Sequence, residues 1–177
     1  MKIIDFQDAK NESSLLKSCA ELYCQIWREP PWNENFWTVS GVLSDIEQQL
    51  SKACSEGFLA VNGSNEAIGF TWGYPVSKNN MRKISKSSDL DFVFEKRKKV
   101  FYVDELGVGS NFRIRGVGKS ISETLITAAK RHGVKCFILR TDEKALAARV
   151  LYQKLGFREL DARDGEFTKR TYWLLEI

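Results

Sequence analysis

Apolar residues along this chain follow two different periods, and segments of the two kinds alternate from one end to the other. Short apolar runs bounded by turn residues predict strands. Apolar residues spaced three and four apart predict helices that present one face to a core. The predicted strands cover 1–6, 57–61, 67–74, 100–108, 134–139, 157–160 and 170–177, and the predicted helices cover 11–27, 38–54, roughly 117–131 and 143–155.

This alternation predicts one three-layer α/β domain over 1–177, with helices on both faces of a mixed sheet. No internal repeat, low-complexity tract or linker interrupts the pattern. The last predicted helix has four leucine or valine residues at helical spacing, which we expect to face the core. They are Leu146, Val150, Leu151 and Leu155.

One segment, 76–99, departs from the pattern. It is polar and carries eight Lys or Arg residues against three Asp or Glu residues. Long excursions of this kind are often functional or disordered. We expect a segment that is helical near 92–98 and is either a solvated insertion or a substrate lid.

Composition excludes several classes of protein. Hydrophobic residues make up 43% of the 177 and charged residues 28%, which is typical of a globular protein. The net charge of +4 is too small to predict nucleic-acid binding, although it suits a polyanionic cofactor. No apolar run approaches the roughly 18 residues that span a bilayer, and the first segment turns polar too soon for a signal peptide. We therefore expect a cytoplasmic protein without a membrane or nucleic-acid partner.

The cysteines and the single histidine do not have the spacing of a zinc site, because no two cysteines form a C-x-x-C pair. We expect reduced, buried thiols and no bound metal. Covalent catalysis through Cys136 is a weaker alternative, because a thiol inside a strand is usually inert. The four cysteines are Cys19, Cys24, Cys54 and Cys136.

The most informative stretch follows the strand over 100–108, where a glycine-rich basic turn leads into a helix. Backbone N–H groups at a helix N-terminus lack partners within the helix, and the helix dipole favours an anion there. Glycines let the backbone approach a ligand closely, and basic side chains add positive charge. The stretch predicts a phosphate-binding turn or, alternatively, a basic cap of the helix. It consists of Arg113, Ile114, Arg115, Gly116, Val117, Gly118, Lys119 and Ser120.

The spacing of the glycines distinguishes between kinds of phosphate-binding turn. A P-loop requires a glycine where this chain has Arg113. A dinucleotide fingerprint requires a glycine where the chain has Phe112 or Ile121. The pattern that does fit is R-x-x-G-x-G, formed by Arg113, Gly116 and Gly118.

This pattern resembles the pyrophosphate-binding motif of the GNAT superfamily of N-acetyltransferases, which bind acetyl-CoA. A second stretch, 148–157, looks like the A-x-x-L-Y-x-K-L-G-F signature of the same family. The resemblance covers most of the chain and is strongest over 101–157. It implies a seven-stranded, mostly antiparallel sheet and acetyl transfer to a primary amine. It also implies that acetyl-CoA is bound by the basic turn together with Leu106, Gly107 and Val108.

Direct acetyl transfer needs a base for the amine, a donor for the oxyanion and an acid for the leaving thiolate. The resemblance implies that Tyr152 contacts the cofactor and supplies the last proton. It also implies that the backbone N–H of Val108 stabilises the oxyanion. Gly107 and Gly109 flank that position, and a glycine in a strand often marks a bulge that exposes the backbone.

Two carboxylates are candidates for the base that deprotonates the amine. Asp104 and Glu105 lie on the strand beside the transfer point, and side-chain alternation along a strand lets only one of them face the cleft. Glu105 is the favoured candidate. Some family members carry a glutamate where this chain has Tyr102 or Arg140, and a chain of water molecules is a further alternative.

One departure from the family pattern concerns cofactor binding. Many members carry an asparagine seven residues before the tyrosine, where this chain has Ala145. Weaker binding is expected, or a replacement contact from Thr141, Asp142 or Lys144. The departure keeps open a second function, a non-catalytic module that binds an acyl-CoA as a sensor or partner. A P-loop-like nucleotide binder is the third alternative.

Substrate choice in this fold is implied to depend on the first two helices, their connection and the loop between the third and fourth strands. Trp72 and Tyr74 on the third strand add to the aromatic residues of the connection. Aromatic residues there predict a pocket that holds an amine by cation–π and charge attraction, or else a plug at the edge of the core. The expected acceptor is a small-molecule amine, and the segment 76–99 argues against a strongly cationic one. The resemblance also allows a homodimer. The candidate acceptor residues are Trp32, Glu34, Trp37, Trp72 and Tyr74.

Overall fold

Seven strands form one mixed sheet in the computed structural model, which describes all 177 residues. The strand order is β1-β2-β3-β4-β5-β7-β6. Only β4 and β5 run parallel, and every other neighbouring pair is antiparallel. This confirms the predicted mixed, mostly antiparallel sheet. The strands are β1 Lys2–Asp5, β2 Glu56–Val61, β3 Ala67–Val76, β4 Val100–Val108, β5 Cys136–Asp142, β6 Arg158–Arg163 and β7 Arg170–Glu176.

Helices cover both faces of the sheet, which confirms the three-layer α/β class. The first five helices pack on one face, called here the α2–α3 face, and the last two pack on the other, called the α6–α7 face. None of the helices has the length and apolar content needed to cross a bilayer. The helices are α1 Phe6–Ala9, α2 Ser13–Arg28, α3 Val39–Leu50, α4 Lys78–Ser85, α5 Phe92–Glu95, α6 Val117–Arg131 and α7 Leu146–Lys154.

Local signals place several helix ends. The Thr38 side chain caps α3 by accepting a 3.1 Å hydrogen bond from the Gly41 backbone N–H. Ser77 caps α4 in the same way. The end of α6 is followed by Gly133 at φ +75°, a left-handed conformation that glycine adopts without steric cost.

Two expectations about buried side chains were wrong. Leu146 and Val150 of α7 are exposed, because this short helix turns only its other side to the sheet. Cys54 is also exposed, because α3 ends at Leu50 and Cys54 lies in the turn beyond it at φ +57°. The other three cysteines are buried, and all four are free thiols.

The basic segment 76–99 is not a solvated insertion. It contains α4 and α5, of which α4 was not predicted. Met81 and Val93 are fully buried in a cluster with Tyr102 and Tyr172. The segment therefore covers part of the α2–α3 face, and its basic residues lie on the outer surface.

The sheet opens between its two parallel strands. β4 pairs with β5 only from Val100 to Val103, opposite Cys136 to Leu139. Beyond these residues β4 continues along β3, while β5 continues along β7. The resulting space, called here the β4–β5 gap, connects the two faces of the sheet.

Candidate active site

A β-bulge lies in β4 at the point where the gap begins. Across the β3–β4 pair, Trp72 lies opposite Glu105 and Gly73 lies opposite Val103, so Asp104 has no partner. An extra residue of this kind resets the alternation of side chains along the strand. A Cβ at Gly73 would clash with the Tyr102 carbonyl, so glycine is required beside the bulge.

The bulge brings both candidate bases to the α2–α3 face. Tyr74 donates a 3.0 Å hydrogen bond to Asp104, and Tyr23 of α2 donates a 3.0 Å hydrogen bond to Glu105. The expectation that only one of the two carboxylates faces the cleft was therefore wrong. The bulge itself was expected near Gly107 and lies instead at Asp104.

Two further carboxylates face Asp104 and Glu105, and the four are called here the carboxylate cluster. Asp45 comes from α3 and Glu34 from the connection between α2 and α3. Burial raises the pKa of Glu105 well above its ordinary value, and the charge of Asp104 raises it further. The pKa of Asp104 is also raised by burial, although the Tyr74 hydrogen bond and the Lys52 charge oppose the shift. Carboxyl groups with raised pKa values are suited to accept protons near neutral pH.

The cluster already holds one cation from the chain itself. The Lys52 ammonium lies 3.1 Å from the centroid of the Tyr74 ring. Burial lowers the pKa of Lys52, while the charges of Asp104 and Asp45 act in the opposite direction. The aromatic face and the two carboxylates attract an ammonium here, although burial outweighs the carboxylates and the pKa of Lys52 is lowered.

The candidate acceptor residues surround this cluster at different depths. Trp37 donates a 2.8 Å hydrogen bond to Glu34, and its ring meets Tyr23 edge-on. Arg170 of β7 stacks over Trp32, with its guanidinium carbon 4.9 Å from the ring centroid. These contacts fold the α2–α3 connection over the carboxylate cluster.

Trp72 has a different position from the other acceptor candidates. It is fully buried and donates a 2.6 Å hydrogen bond from its indole N–H to Gln49 of α3. Its ring stacks against Tyr23 and Phe70. Trp72 supports the site from below and does not line an open wall.

On the opposite face of the sheet, Tyr152 of α7 borders the gap. It is 6% exposed, and its ring packs against Phe157 and Trp173. Tyr152 lines a narrow apolar crevice together with Leu106 and Leu139. Burial raises the pKa of Tyr152 and the negative charge of Glu105 adds to the shift, while Thr141 opposes it. The phenol therefore keeps its proton at neutral pH.

The free edge of β4 presents backbone donors to the gap. The Gly109 N–H donates a 3.0 Å hydrogen bond to the Ile68 carbonyl of β3. Hydrogen-bonding positions alternate along an antiparallel pair, so the N–H groups of Leu106 and Val108 point away from β3 and into the gap. The Val108 carbonyl also points there, since it accepts a 2.9 Å hydrogen bond from the Arg113 side chain.

The turn before α6 forms a concave arrangement of unused donors. No backbone N–H from 114 to 119 has an acceptor within the protein, and the Ser120 N–H is the first to bond back, to Gly116. Left-handed conformations at Ile114 (φ +61°) and Gly116 (φ +84°) curve the chain. Such nests of N–H groups at a helix N-terminus bind anions.

The charged side chains of the turn divide into two groups. Arg113 forms a 2.6 Å ion pair with Glu29, so it ties the turn to the end of α2. Arg115 forms no ion pair, and Lys119 makes only a long contact of 3.7 Å with Glu123. Arg115 and Lys119 are therefore the side chains that remain available to an anion.

Sequence reasoning missed three residues of the site. Tyr23 lies in the apolar stripe of the predicted helix 11–27, and its hydroxyl is the one available signal, because a buried hydroxyl requires a partner. Asp45 and Lys52 on and after α3 were not considered, since neither belongs to a recognisable motif. Only the packing of α2 and α3 on β3 and β4 brings all three to the carboxylates.

Three further residues that the sequence analysis named have surroundings that favour a structural role over a catalytic one. Cys136 is buried, and burial raises its pKa to about 11, which disfavours a nucleophilic thiolate. Arg140 donates a 2.9 Å hydrogen bond to buried Asp164. Ala145 precedes α7 and provides no side-chain cap.

Comparisons with known proteins agree with this architecture. The profile of the acetyltransferase (GNAT) family matches residues 16–157. Human N-acetyltransferase 8 is 26% identical over 141 residues, which cover 78% of this chain and 56% of that protein. The chain thus spans about half the length of the curated relatives it matches.

Two solved structures show the same fold at low sequence identity. Ribosomal-protein-alanine N-acetyltransferase from Brucella melitensis has a TM-score of 0.72 and 16% identity, and the match covers 100% of both chains. PaiA N-acetyltransferase from Thermoplasma acidophilum, in complex with coenzyme A, has a TM-score of 0.64 and 14% identity, again over 100% of both chains.

Proposed function

This chain belongs to the acetyltransferase (GNAT) family, and we propose that it is an N-acetyltransferase that transfers an acetyl group directly from acetyl-CoA to the primary amine of a small molecule. One observation carries the proposal. Glu105 and Tyr152 approach the same β4–β5 gap from opposite faces of the sheet. A proton acceptor and a proton donor therefore stand on the two sides of one opening.

The residues around the gap fit the cosubstrate. The unused N–H groups of 114–119 and the positive end of α6 suit a pyrophosphate, with Arg115 and Lys119 adding charge. The free edge at Leu106 and Val108 suits the amide groups of a pantetheine arm. The apolar crevice beside Tyr152 suits the thioester end.

The chemistry divides among this chain's own groups. Glu105 takes a proton from the acceptor ammonium, which frees the lone pair that forms the new C–N bond. As the C–S bond breaks, Tyr152 donates its proton to the departing sulfur, and the second proton that the nitrogen loses on becoming an amide returns to the Tyr152 phenolate. A backbone N–H on the free edge of β4 donates a hydrogen bond to the carbonyl oxygen while that oxygen carries negative charge.

The backbone N–H groups of Leu106 and Val108 lie at different places along the free edge of β4. Leu106 lines the same crevice as Tyr152. Val108 lies instead against the start of α6, where its side chain is 3.5 Å from the Cβ position of Gly118. We assign the oxyanion contact to Leu106 and a cofactor amide contact to Val108.

Asp104 has a different role from Glu105. Its carboxylate is engaged by Tyr74 and faces the Lys52 ammonium. The Glu105 charge, in contrast, acts on Tyr152 across the gap. We therefore assign proton transfer to Glu105 and acceptor binding to Asp104.

A small acceptor is supported by the position of the α2–α3 connection. Its Glu34 accepts a 2.8 Å hydrogen bond from Trp37, lies 3.4 Å from Arg170 of β7 and belongs to the carboxylate cluster, so the connection is fastened beside Glu105. The alternative acceptor, to be tested beside small amines, is a protein N-terminus.

Thermal unfolding with acetyl-CoA, and with ATP as the control, tests cofactor binding. A ligand at about 100 times its dissociation constant stabilises by roughly 2.7 kcal/mol, which corresponds to a shift of about 5–10 °C for a chain of this size. Release of CoA with a panel of amines and N-terminal peptides then tests transfer.

The outcomes of these two measurements separate the alternatives. A shift with acetyl-CoA alone, followed by turnover of small amines, supports the proposal. A shift without turnover of any acceptor would favour a non-catalytic acyl-CoA-binding module. A shift with ATP alone would refute the assignment of the turn before α6.

A further inference from the structure

The carboxylate cluster contains more negative charge than its basic neighbours balance. Its carboxylates come from β4, α3 and the α2–α3 connection and converge on one side of the gap. Of the nearby cations, Arg140 is paired with Asp164 at 2.9 Å. Arg170 lies at 3.4 Å from Glu34. Lys52 is the cation whose charge acts on both Asp45 and Asp104, since Arg140 acts on Asp104 but is held by Asp164.

Few contacts hold the Lys52 ammonium in place. It lies beyond the end of α3 at Leu50, the residue as a whole is exposed, and its ammonium forms neither an ion pair within 4.0 Å nor a hydrogen bond. What holds it is the face of Tyr74 and the charges of Asp45 and Asp104. A flexible side chain held only in this way can be displaced by a ligand cation.

The Lys52 ammonium also identifies what the position binds. An aromatic face next to carboxylates stabilises an ammonium ion, and the chain has placed one of its own there. The position lies beside Asp104, the residue next to the proposed base Glu105. A ligand with one amine at Glu105 would therefore reach it with a second amine a short aliphatic chain away.

Building on the proposed function, we infer that the acceptor is a small aliphatic diamine or polyamine. One amine lies at Glu105 and is acetylated. The second, as an ammonium, displaces Lys52 from the face of Tyr74 and is held by Asp45 and Asp104. The basic residues of 76–99 do not oppose this, since all but the half-buried Arg97 lie on the outer surface of the segment and Arg82 pairs with Asp91.

Steady-state acetylation of matched acceptors tests the inference. The probes are 1,4-diaminobutane, 1-aminobutane and 4-amino-1-butanol, which share one reactive amine and differ in the second group. L-aspartate serves as an anionic acceptor. We expect kcat/KM for the diamine to exceed that of either monoamine by about tenfold or more, which corresponds to about 1.4 kcal/mol. Equal values for the diamine and the monoamines, or a preference for L-aspartate, would overturn it.

Two substitutions test where the second ammonium of the diamine binds. Asp45→Asn removes a charge but keeps the acceptor of the 2.8 Å hydrogen bond from Gln49, and should reduce the diamine preference about tenfold. Lys52→Met removes the competing ammonium and should lower KM for the diamine severalfold. Lys17→Met on the outer surface of α2 is the matched control and should change neither value. An unchanged preference in Asp45→Asn, with unfolding temperature preserved, would contradict the inference.

Calorimetric binding of 1,4-diaminobutane separates this inference from the proposed function. Binding that Asp45→Asn weakens, without turnover of any amine, would support the diamine site and refute the transferase assignment. Turnover of monoamines as fast as diamines would leave the transferase assignment intact and refute the diamine site. Absence of both binding and turnover would refute both.

Discussion

The Tyr23 hydroxyl donates a 3.0 Å hydrogen bond to the Glu105 carboxylate, although the two residues are 82 positions apart in the sequence. Tyr23 is fully buried in α2, among the rings of Trp27, Phe70 and Trp72. The proposed base is therefore oriented by a residue of the second helix, whose own position is fixed by aromatic packing.

Tyr23→Phe should change the pH dependence of the reaction. The Tyr23 hydrogen bond favours the ionised carboxylate and so lowers the pKa of Glu105 against the effect of burial. A hydrogen bond to a charged group contributes about 1.5–3 kcal/mol, so its loss should move the acidic limb of kcat/KM to higher pH by about one unit or more. Tyr74→Phe, which removes the donor to Asp104, is the comparison and should move the limb less. A uniform loss of rate without a shift would mean that Tyr23 is only structural.

Glu105→Gln should lower the activity of the protein and raise its stability above neutral pH. Loss of the base should lower kcat by about 10²–10⁴-fold. Because the pKa of Glu105 is raised in the folded state, the wild-type protein loses stability as pH rises through that pKa, and the glutamine variant does not. At pH 8 the variant should gain about 1–2 kcal/mol in free energy of unfolding, measured by denaturant titration. The gain should shrink towards pH 4, and a variant that is less stable at pH 8 would contradict the assignment.

Tyr152→Phe should reduce the chemical step and leave cofactor binding in place. Only the proton donor is lost, since the ring still packs on Phe157 and Trp173. The expected loss in kcat is about 10²–10⁴-fold, with the thermal shift by acetyl-CoA unchanged. Full activity in the variant would show that another group protonates the leaving sulfur.

Gly116→Ala should weaken cofactor binding through the backbone. A Cβ there meets no atom, so the cost arises from the left-handed φ of +84°, about 1–2 kcal/mol for alanine. Relaxation of this strain would disturb the N–H groups of 114–119, and the acetyl-CoA shift should fall. Gly63→Ala is the matched control, because its Cβ also meets no atom and its φ is not left-handed. Equal shifts in both variants would argue against the nest as the anion site.

Asp164→Asn should destabilise the fold in a pH-dependent way. Burial alone would raise the pKa of Asp164, but bonds from the Phe167 and Glu166 N–H groups, Tyr172 and Arg140 outweigh it and lower the pKa. The carboxylate therefore stabilises the protein above its unfolded pKa, and this stabilisation is lost as pH falls through the lower folded value. At pH 7 the variant should lose about 3–5 kcal/mol. The difference in free energy of unfolding between the wild type and the variant should shrink steadily as pH falls below 4, and a difference that does not change with pH would contradict this.

The family and the sheet could be predicted from the sequence because their signals are local. The strand, the R-x-x-G-x-G turn and the following helix are contiguous, and the A-x-x-L-Y-x-K-L-G-F stretch places Tyr152 on its helix. Glycine spacing and hydrophobic periodicity depend on neighbours within a few residues, so one chain suffices to recognise them.

The arrangement of the acceptor side depended on the tertiary structure. A bulge arises from how two strands pair, so nothing within 100–108 could show that Asp104 and Glu105 share a face. The contacts of Tyr23 with Glu105, and of Lys52 with Tyr74, join segments that meet only when α2 and α3 pack on the sheet. The sequence by itself determined the family and the fold, whereas long-range packing decided which charges surround the proposed base.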